Sequence, residues 1–360
     1  SLGFIAQSDV ELSCGVNMAL KSQMDYLVQS GLEHAKGIIL NPQDASTEYW
    51  TGGTGFQLDD SSNDYYDVSI SRTSYCNYQI ESYAYRSQDG QQTGSSKLRA
   101  NLRLDPCIAL RTGQGWTSEP GLIVTGDVYS KGYLAGEATI KGDAFAGEDI
   151  YATVNITGSE NEENVEIIPF PAIDCGSFRP LYYIGSNSYS PYTISNLVLL
   201  TCVSYTSSVS NPKGVYYCNG SLILGNSANI YGTLVVNGNL TINGTNVIIS
   251  AKKNFPALIV TGKLKLVTNS HCVISGLVQI GDEIEGITAL GVEGGTSITC
   301  TVNGSVFIKN YDIDGLSSPT NTLRINAWPD KSAIELWNSS GTPFRWNCTG
   351  GAFYKSIVRY

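Results

Sequence analysis

The sequence predicts a mainly β chain: an N-terminal amphipathic helix with an antiparallel β-meander, followed by a right-handed parallel β-helix, or β-solenoid. Three observations predict it. Apolar residues fall at helical spacing only near the start, alternation with period two runs from Phe56 to Leu104, and a glycine-centred motif recurs beyond Gly121. Composition agrees. Of 360 residues, 42% are hydrophobic but only 15% charged, below the roughly 25% of ordinary soluble domains, and 38 Gly and 22 Tyr favour turns and strands over helices.

The helix is read from Val16, Leu20, Met24, Leu27, Gly31, Ala35 and Ile38, spaced by three or four residues as one stripe. Lys21, Asp25, Gln29 and Glu33 form a polar face, and Asn41-Pro42 supplies a stop because proline disfavours α geometry in the residue before it. The stripe is long enough to place a helix from about Gln7 to Leu40 that protrudes partly from the body. In the meander, Tyr66, Val68 and Ile70, then Tyr78 and Ile80, then Leu98, Ala100, Leu102 and Leu104 share one face of successive strands. The polar stretch Ser87 to Ser96 reads as an exposed hairpin loop.

The repeat is apolar, any, Gly, any, apolar, any, apolar, as in Ile230-Tyr231-Gly232-Thr233-Leu234-Val235-Val236 and Val302-Asn303-Gly304-Ser305-Val306-Phe307-Ile308. Short strands with Gly corners suit a solenoid, whose inward apolar side chains stack from coil to coil. A β-sandwich with Gly turns is the competing architecture. The expected organisation is helix plus meander over 1–110, solenoid over 121–316 with an irregular insertion near 157–212, and a C-terminal capping segment over 317–360.

A net charge of −10 with no basic run lacks the footprint that phosphate binding needs, so nucleic acid is not an expected partner. Nine cysteines contain no C-x-x-C pair, which argues against a compact zinc or redox motif. Disulfides are expected within each half, with Cys76 to Cys107 in the first and Cys272 to Cys300 in the second, since neighbouring strands or coils bring Cα atoms within about 7 Å. Seven Asn-x-Ser/Thr sequons, Asn155, Asn239 and Asn303 among them, arise from composition.

Only His34 and His271 could serve a nucleophile relay, and adjacent His271 and Cys272 on a strand would point to opposite faces. Glu283 with Glu285, and Asp312 with Asp314, would share a strand face and could hold Ca²⁺ or act as acid and base, but both pairs lie beside glycine at strand ends, where solvated turn residues are expected. The closest cation in sequence is Lys309. No catalytic residue, metal or cofactor is therefore expected, and the chain is read as a structural protein and not an enzyme.

Met24-Asp25-Tyr26-Leu27-Val28-Gln29-Ser30-Gly31-Leu32-Glu33-His34-Ala35-Lys36-Gly37 resembles the helix of PilX-type minor pilins and type II secretion pseudopilins, with Val28-Gln29 where that pattern has Ala-Glu. Tyr78-Gln79-Ile80-Glu81-Ser82 and Lys97-Leu98-Arg99-Ala100-Asn101-Leu102 resemble the meander of the same group, and the later repeats resemble those of bactofilins. The resemblance implies a structural component of a type IV pilus or type II secretion-like filament. It implies other pilin-like subunits as partners, the helix stripe as assembly face, a membrane segment upstream of this chain, and an extracytoplasmic location in the periplasm or on the cell surface. Two alternatives remain open: a polysaccharide-binding or polysaccharide-cleaving β-helix protein, and a self-assembling bactofilin-like solenoid that stacks end to end.

Overall fold

The structure, a computed structural model, describes residues 2–40, 50–74, 77–104, 107–162, 170, 174–252, 255–287, 297–309, 313–314, 316, 318, 320–327, 333–337, 339, 343–347 and 352–360. They are mainly β with one N-terminal helix. They fall in two compact units, the first within 1–41, 49–105 and 351–360, the second within 106–350.

In the first unit the helix α1 runs over Leu2–Leu40 and packs on an antiparallel sheet. The sheet order is Gly52–Phe56, Asp64–Ser74, Asn77–Gln88, Gln91–Leu104 and Ala352–Arg359. Alternation explains the packing. Tyr66, Val68, Ile70, Tyr78, Ile80, Leu98, Ala100, Leu102 and Leu104 are all buried, as one face of a pleated sheet must be when a helix covers it. The stretch Ser87 to Ser96 is not an extended loop. Strands continue through it to a two-residue turn at Asp89-Gly90, both with positive φ, because Asp-Gly suits the left-handed geometry whose twist matches a hairpin. Within the segment 317–360 read as a terminal cap, Ala352–Arg359 pairs with Gln91–Leu104, and Thr322–Asn326 lies in the second unit's nine-stranded sheet.

The second unit is built on parallel sheets of nine, ten and six strands among the described residues, and corresponding residues on successive turns along the chain lie 16 to 29 apart in sequence. Each turn pairs with the next through parallel strands in register, such as Val215–Cys218 with Thr233–Val236. The order along the sheets differs from the order along the chain. From Ile108–Thr112 the chain adds turns outward to Glu160–Asn161, one edge of the ten-stranded sheet. It restarts at the opposite edge, Tyr192–Ile194, and winds back until Val306–Ile308 pairs with Leu110–Thr112 and Thr322–Asn326 pairs with Leu122–Thr125. The stretch 157–212 thus includes one regular turn, made of Tyr192–Ile194, Leu199–Leu200 and Ser204–Tyr205, whose strands lack the glycine-centred motif.

The chain between residues 162 and 191 must therefore travel the length of ten strands, about 40 Å at the usual strand spacing. Its described residues show what that path covers. One face of the ten-stranded sheet carries Ala144, Val128, Leu110, Val306, Val278, Leu258 and Leu234 as the inner column. The other carries Phe145, Tyr129, Arg111, Phe307, Gln279, Ile259, Val235 and Tyr217. This second face would ordinarily meet water. Here Cys175, Phe178 and Tyr182 join Tyr129, Phe307, Ile259, Val235 and Tyr217 in one buried cluster, with Phe170, Ile184 and Tyr189 packed against it. Phe170 meets Phe307 edge-on at 5.7 Å between centroids, and the Arg111 guanidinium lies 5.4 Å from the Phe170 ring. A sheet covered on both sides accounts for continuous burial in Ile108–Thr112, Val215–Cys218 and Thr233–Val236, where alternation disappears.

Polar side chains fasten the corners. Asp127 accepts from the Cys107 and Asp143 backbone N–H groups at 2.8 and 3.1 Å, and Asp143 repeats the pattern with Ser159 at 2.8 Å. Asn239 accepts from the Lys263 N–H at 2.9 Å, and Asn237 donates to Asn219 at 2.9 Å. The bonds to Asp127, Asp143 and Asn239 satisfy backbone N–H groups at the bends, and the Asn237–Asn219 bond ties side chains of successive turns. Glycine is demanded where corners stack. At Gly304 φ is +155°, and a Cβ there would lie 2.0 Å from the Gly276 carbonyl oxygen of the turn below.

Two outcomes follow from this packing. Gly304→Ala is expected to lower the stability of the second unit by about 2 kcal/mol or more, through strain and backbone collision. Gly37→Ala, at a helix position with nothing within 4 Å, should raise that of the first by up to about 1 kcal/mol. Urea unfolding monitored separately for each unit checks both signs. The second concerns Tyr182, which donates to Asn211 Oδ1 at 2.7 Å in a buried site, where burial pushes its phenol up to about 12. A raised folded value favours the neutral form, so its contribution is complete below the unfolded value of about 10 and is lost as pH rises toward 12. Tyr182→Phe should therefore flatten the fall in stability between pH 10 and 12, measured by denaturation at fixed pH steps.

Candidate assembly surface

The amphipathic stripe that begins at Val16 is divided by the first unit. Met24, Leu27, Val28, Leu32, Ala35 and Ile39 are buried against the unit's own sheet, and Gly31 lies so close that an added Cβ would meet Ser82 Oγ at 2.2 Å. Of the residues expected to form an assembly face, Met24, Leu27, Gly31 and Ala35 are therefore occupied within the chain, and Ile38 is half-buried. The physical reason is spacing: a helix that covers a flat sheet and a helix that packs on another helix need the same three-to-four-residue apolar period.

Leu20 marks the boundary. It is half-buried, with its side chain beside Gly94, where an added Cβ would fall 2.8 Å from Leu20 Cδ2. From Val10 to Ala19 every residue is exposed, and the apolar ones include Val10 at 68%, Leu12 at 69%, Val16 at 60% and Met18 at 67%. Only Val16 of the expected face belongs to this bare segment, while Val10, Leu12 and Met18 lie off the stripe and were missed by it. Their signal was apolar side chains at positions where a sheet-covering helix should be polar.

Where the helix meets the sheet, Tyr26, Leu27, Leu58 and Asp64 border an open groove of about 390 Å³. Tyr26 and Leu58 are exposed at 68% and 57%. Asp64 is held by Arg86 through two hydrogen bonds at 2.6 and 2.7 Å, and Asp25 takes the Arg359 guanidinium at 2.8 Å. The described part of the helix before Leu20 thus carries large apolar side chains that are exposed to water.

The other candidate groups lie elsewhere. Glu283 and Glu285 both face Lys263 of the previous turn: Glu283 pairs with its ammonium, Glu285 lies 3.6 Å from it, and Lys265 is also 3.6 Å from Glu285. The bond to Glu283 pushes the Lys263 ammonium up from its ordinary value. These lysines, invisible as neighbours in sequence, are nearer than Lys309 and tie the carboxylates into an inter-turn ion ladder. Asp314 stands opposite Glu285 in register, and Asp312 lies outside the described residues. Among the described residues, no group of three or more His, Cys, Asp or Glu could hold a metal ion. His34 sits among the rings of Trp50, Phe56 and Tyr66, with Nδ1 3.1 Å from the Tyr66 hydroxyl. His271 is exposed, whereas Cys272 is buried.

Cys272 and Cys300 are brought together in register on adjacent strands, with 2.8 Å between sulfurs. Cys76 lies outside the described residues, so its pairing with the buried Cys107 does too. Among the described residues no helix is long and apolar enough to cross a membrane. No protein-family model matches the chain, and no curated protein sequence matches it. Among solved structures, the chain is similar to the crystal structure of the competence-associated pilin ComZ from Thermus thermophilus, at 10% identity over 95% of this chain and 98% of that one, with a TM-score of 0.33.

Proposed function

We propose that the chain is a non-catalytic structural subunit of a type IV pilus or type II secretion-like filament. In this reading, the bare segment Val10 to Ala19 enters the filament, and a right-handed parallel β-solenoid is displayed outside the cell. The observation that carries the proposal is the change in exposure along α1. Its later half is buried on its own sheet, and its earlier half presents Val10, Leu12, Val16 and Met18 to water without a partner in its own unit. Burying those four side chains on neighbouring subunits would contribute roughly 1.5–3 kcal/mol each. Further support comes from the likeness of Met24 to Gly37 to minor-pilin helices, and from ion pairing of the only paired acidic residues on the six-stranded sheet whose side chains are described. An anchoring segment preceding Ser1 and an extracytoplasmic location belong to the same proposal.

The test separates assembly from folding. Val16→Asp with Met18→Asp should leave the unfolding midpoint of the isolated chain within about 0.5 kcal/mol of the parent, because neither side chain packs in the unit. Incorporation into filaments in the producing cell should fall at least tenfold. Leu27→Asp serves as the contrast, since a charge in its buried position should destabilise the first unit by about 3 kcal/mol or more. Normal incorporation of the Val16/Met18 variant at unchanged stability would defeat the proposal.

A further inference from the structure

We propose that Cys272 and Cys300 close an intramolecular disulfide inside the second unit, formed while the chain is still winding and sealed from solvent afterwards. This does not rest on the filament reading. Strands His271–Ser275 and Thr299–Asn303 pair in parallel, with Cys272 directly opposite Cys300. Neighbouring strands lie about 4.8 Å apart, within the Cα separations of about 4.4–6.8 Å that a disulfide spans. The two sulfurs are held as thiols 2.8 Å apart, and the residues are 1% and 0% exposed.

The inward column around them is apolar. Val247 stands opposite Cys272 on the turn before, and Leu323 stands opposite Cys300 on the turn after. Replacing two weakly polar thiols by one apolar bridge therefore suits the site. The two cysteines are 28 residues apart in sequence. The segment they enclose ends just before Val306–Ile308, the strand that pairs with Leu110–Thr112.

Accessibility fixes the order of events. The oxidant is a disulfide-bearing thiol oxidant: one cysteine, as thiolate, attacks its S–S bond to give a mixed disulfide and releases one oxidant thiolate. The second cysteine then displaces the other oxidant sulfur. Two protein thiols thus lose two protons and two electrons, and the oxidant leaves as a dithiol. In the folded unit both residues are enclosed, so an oxidant cannot reach either sulfur, and hydrogen bonding to Cys300 together with burial pushes the Cys272 thiol up from its ordinary value. Exchange must precede the settling of Thr299–Asn303 on His271–Ser275, and the same burial then excludes reductants.

The test uses the full chain secreted through an oxidising compartment. It is denatured with an alkylating reagent present and no reductant, then digested and mapped by mass. The expected result is a linked peptide pair joining Cys272 to Cys300. The folded chain should resist dithiothreitol at least a hundredfold longer than the chain in denaturant. Alkylation of both residues as free thiols, or linkage of either to a different cysteine, would overturn the proposal. Equal reduction rates with and without denaturant would overturn the claim that the bond is sealed.

Discussion

One junction governs the second unit: Val306–Ile308 lies against Leu110–Thr112 and Thr322–Asn326 against Leu122–Thr125, so segments about two hundred residues apart become consecutive turns. Without it there are two separate windings. The earlier one, from Ile108 to Asn161, would end in unpaired strands on the side where Leu110 and Leu122 lie. The later one, from Tyr192 onward, would leave one edge of Val306–Ile308 and of Thr322–Asn326 unpaired. Open parallel edges of that length invite pairing with other chains, and closing them on each other removes the hazard internally.

This closure imposes the rest of the design. A chain that starts in the middle of a stack must return to the far end before it can wind back, and the return path runs beside the ten-stranded sheet. That passage lays Phe170, Phe178 and Tyr182 over a face that would otherwise need polar side chains, so Tyr129, Val235, Ile259 and Phe307 can be large and apolar. On the six-stranded sheet, by contrast, the charged side chains of Lys265 and Glu285 stand in register. The low charged fraction of the sequence follows in part from burying both faces of the largest sheet.

How much of this was legible depended on the range of the interaction. The helix and the meander are local, and Val68, Ile70, Ile80 and Leu102 reveal their shared face by period alone. The glycine corners revealed the repeated turn, because Gly276 and Gly304 recur in the same short context. The return path was not legible, since Phe170, Phe178 and Tyr182 are isolated aromatics in a segment without periodicity and acquire meaning only against partners from several turns. Nor could the chain order disclose that Lys263 stands beside Glu283, or that Asp127 holds a neighbouring corner. On the helix, spacing marked one apolar stripe but could not separate Val16, which is exposed, from Met24 and Leu27, which are buried on the sheet.

The helix therefore has two environments within one continuous element: the half from Met24 to Leu40 is fixed by tertiary packing, and the half from Val10 to Ala19 has only its own hydrogen bonds. Helical segments without packing exchange their amide hydrogens through low-energy opening, whereas packed ones exchange only through larger unfolding events. Hydrogen exchange followed by mass spectrometry, comparing the isolated chain with the chain in filaments, reads this difference directly. In isolation, residues 10–19 should exchange at least a hundredfold faster than 24–39, and in filaments the difference should largely disappear. Equal protection of the two halves in the isolated chain, or unchanged fast exchange of 10–19 in filaments, would contradict a helix left open for assembly.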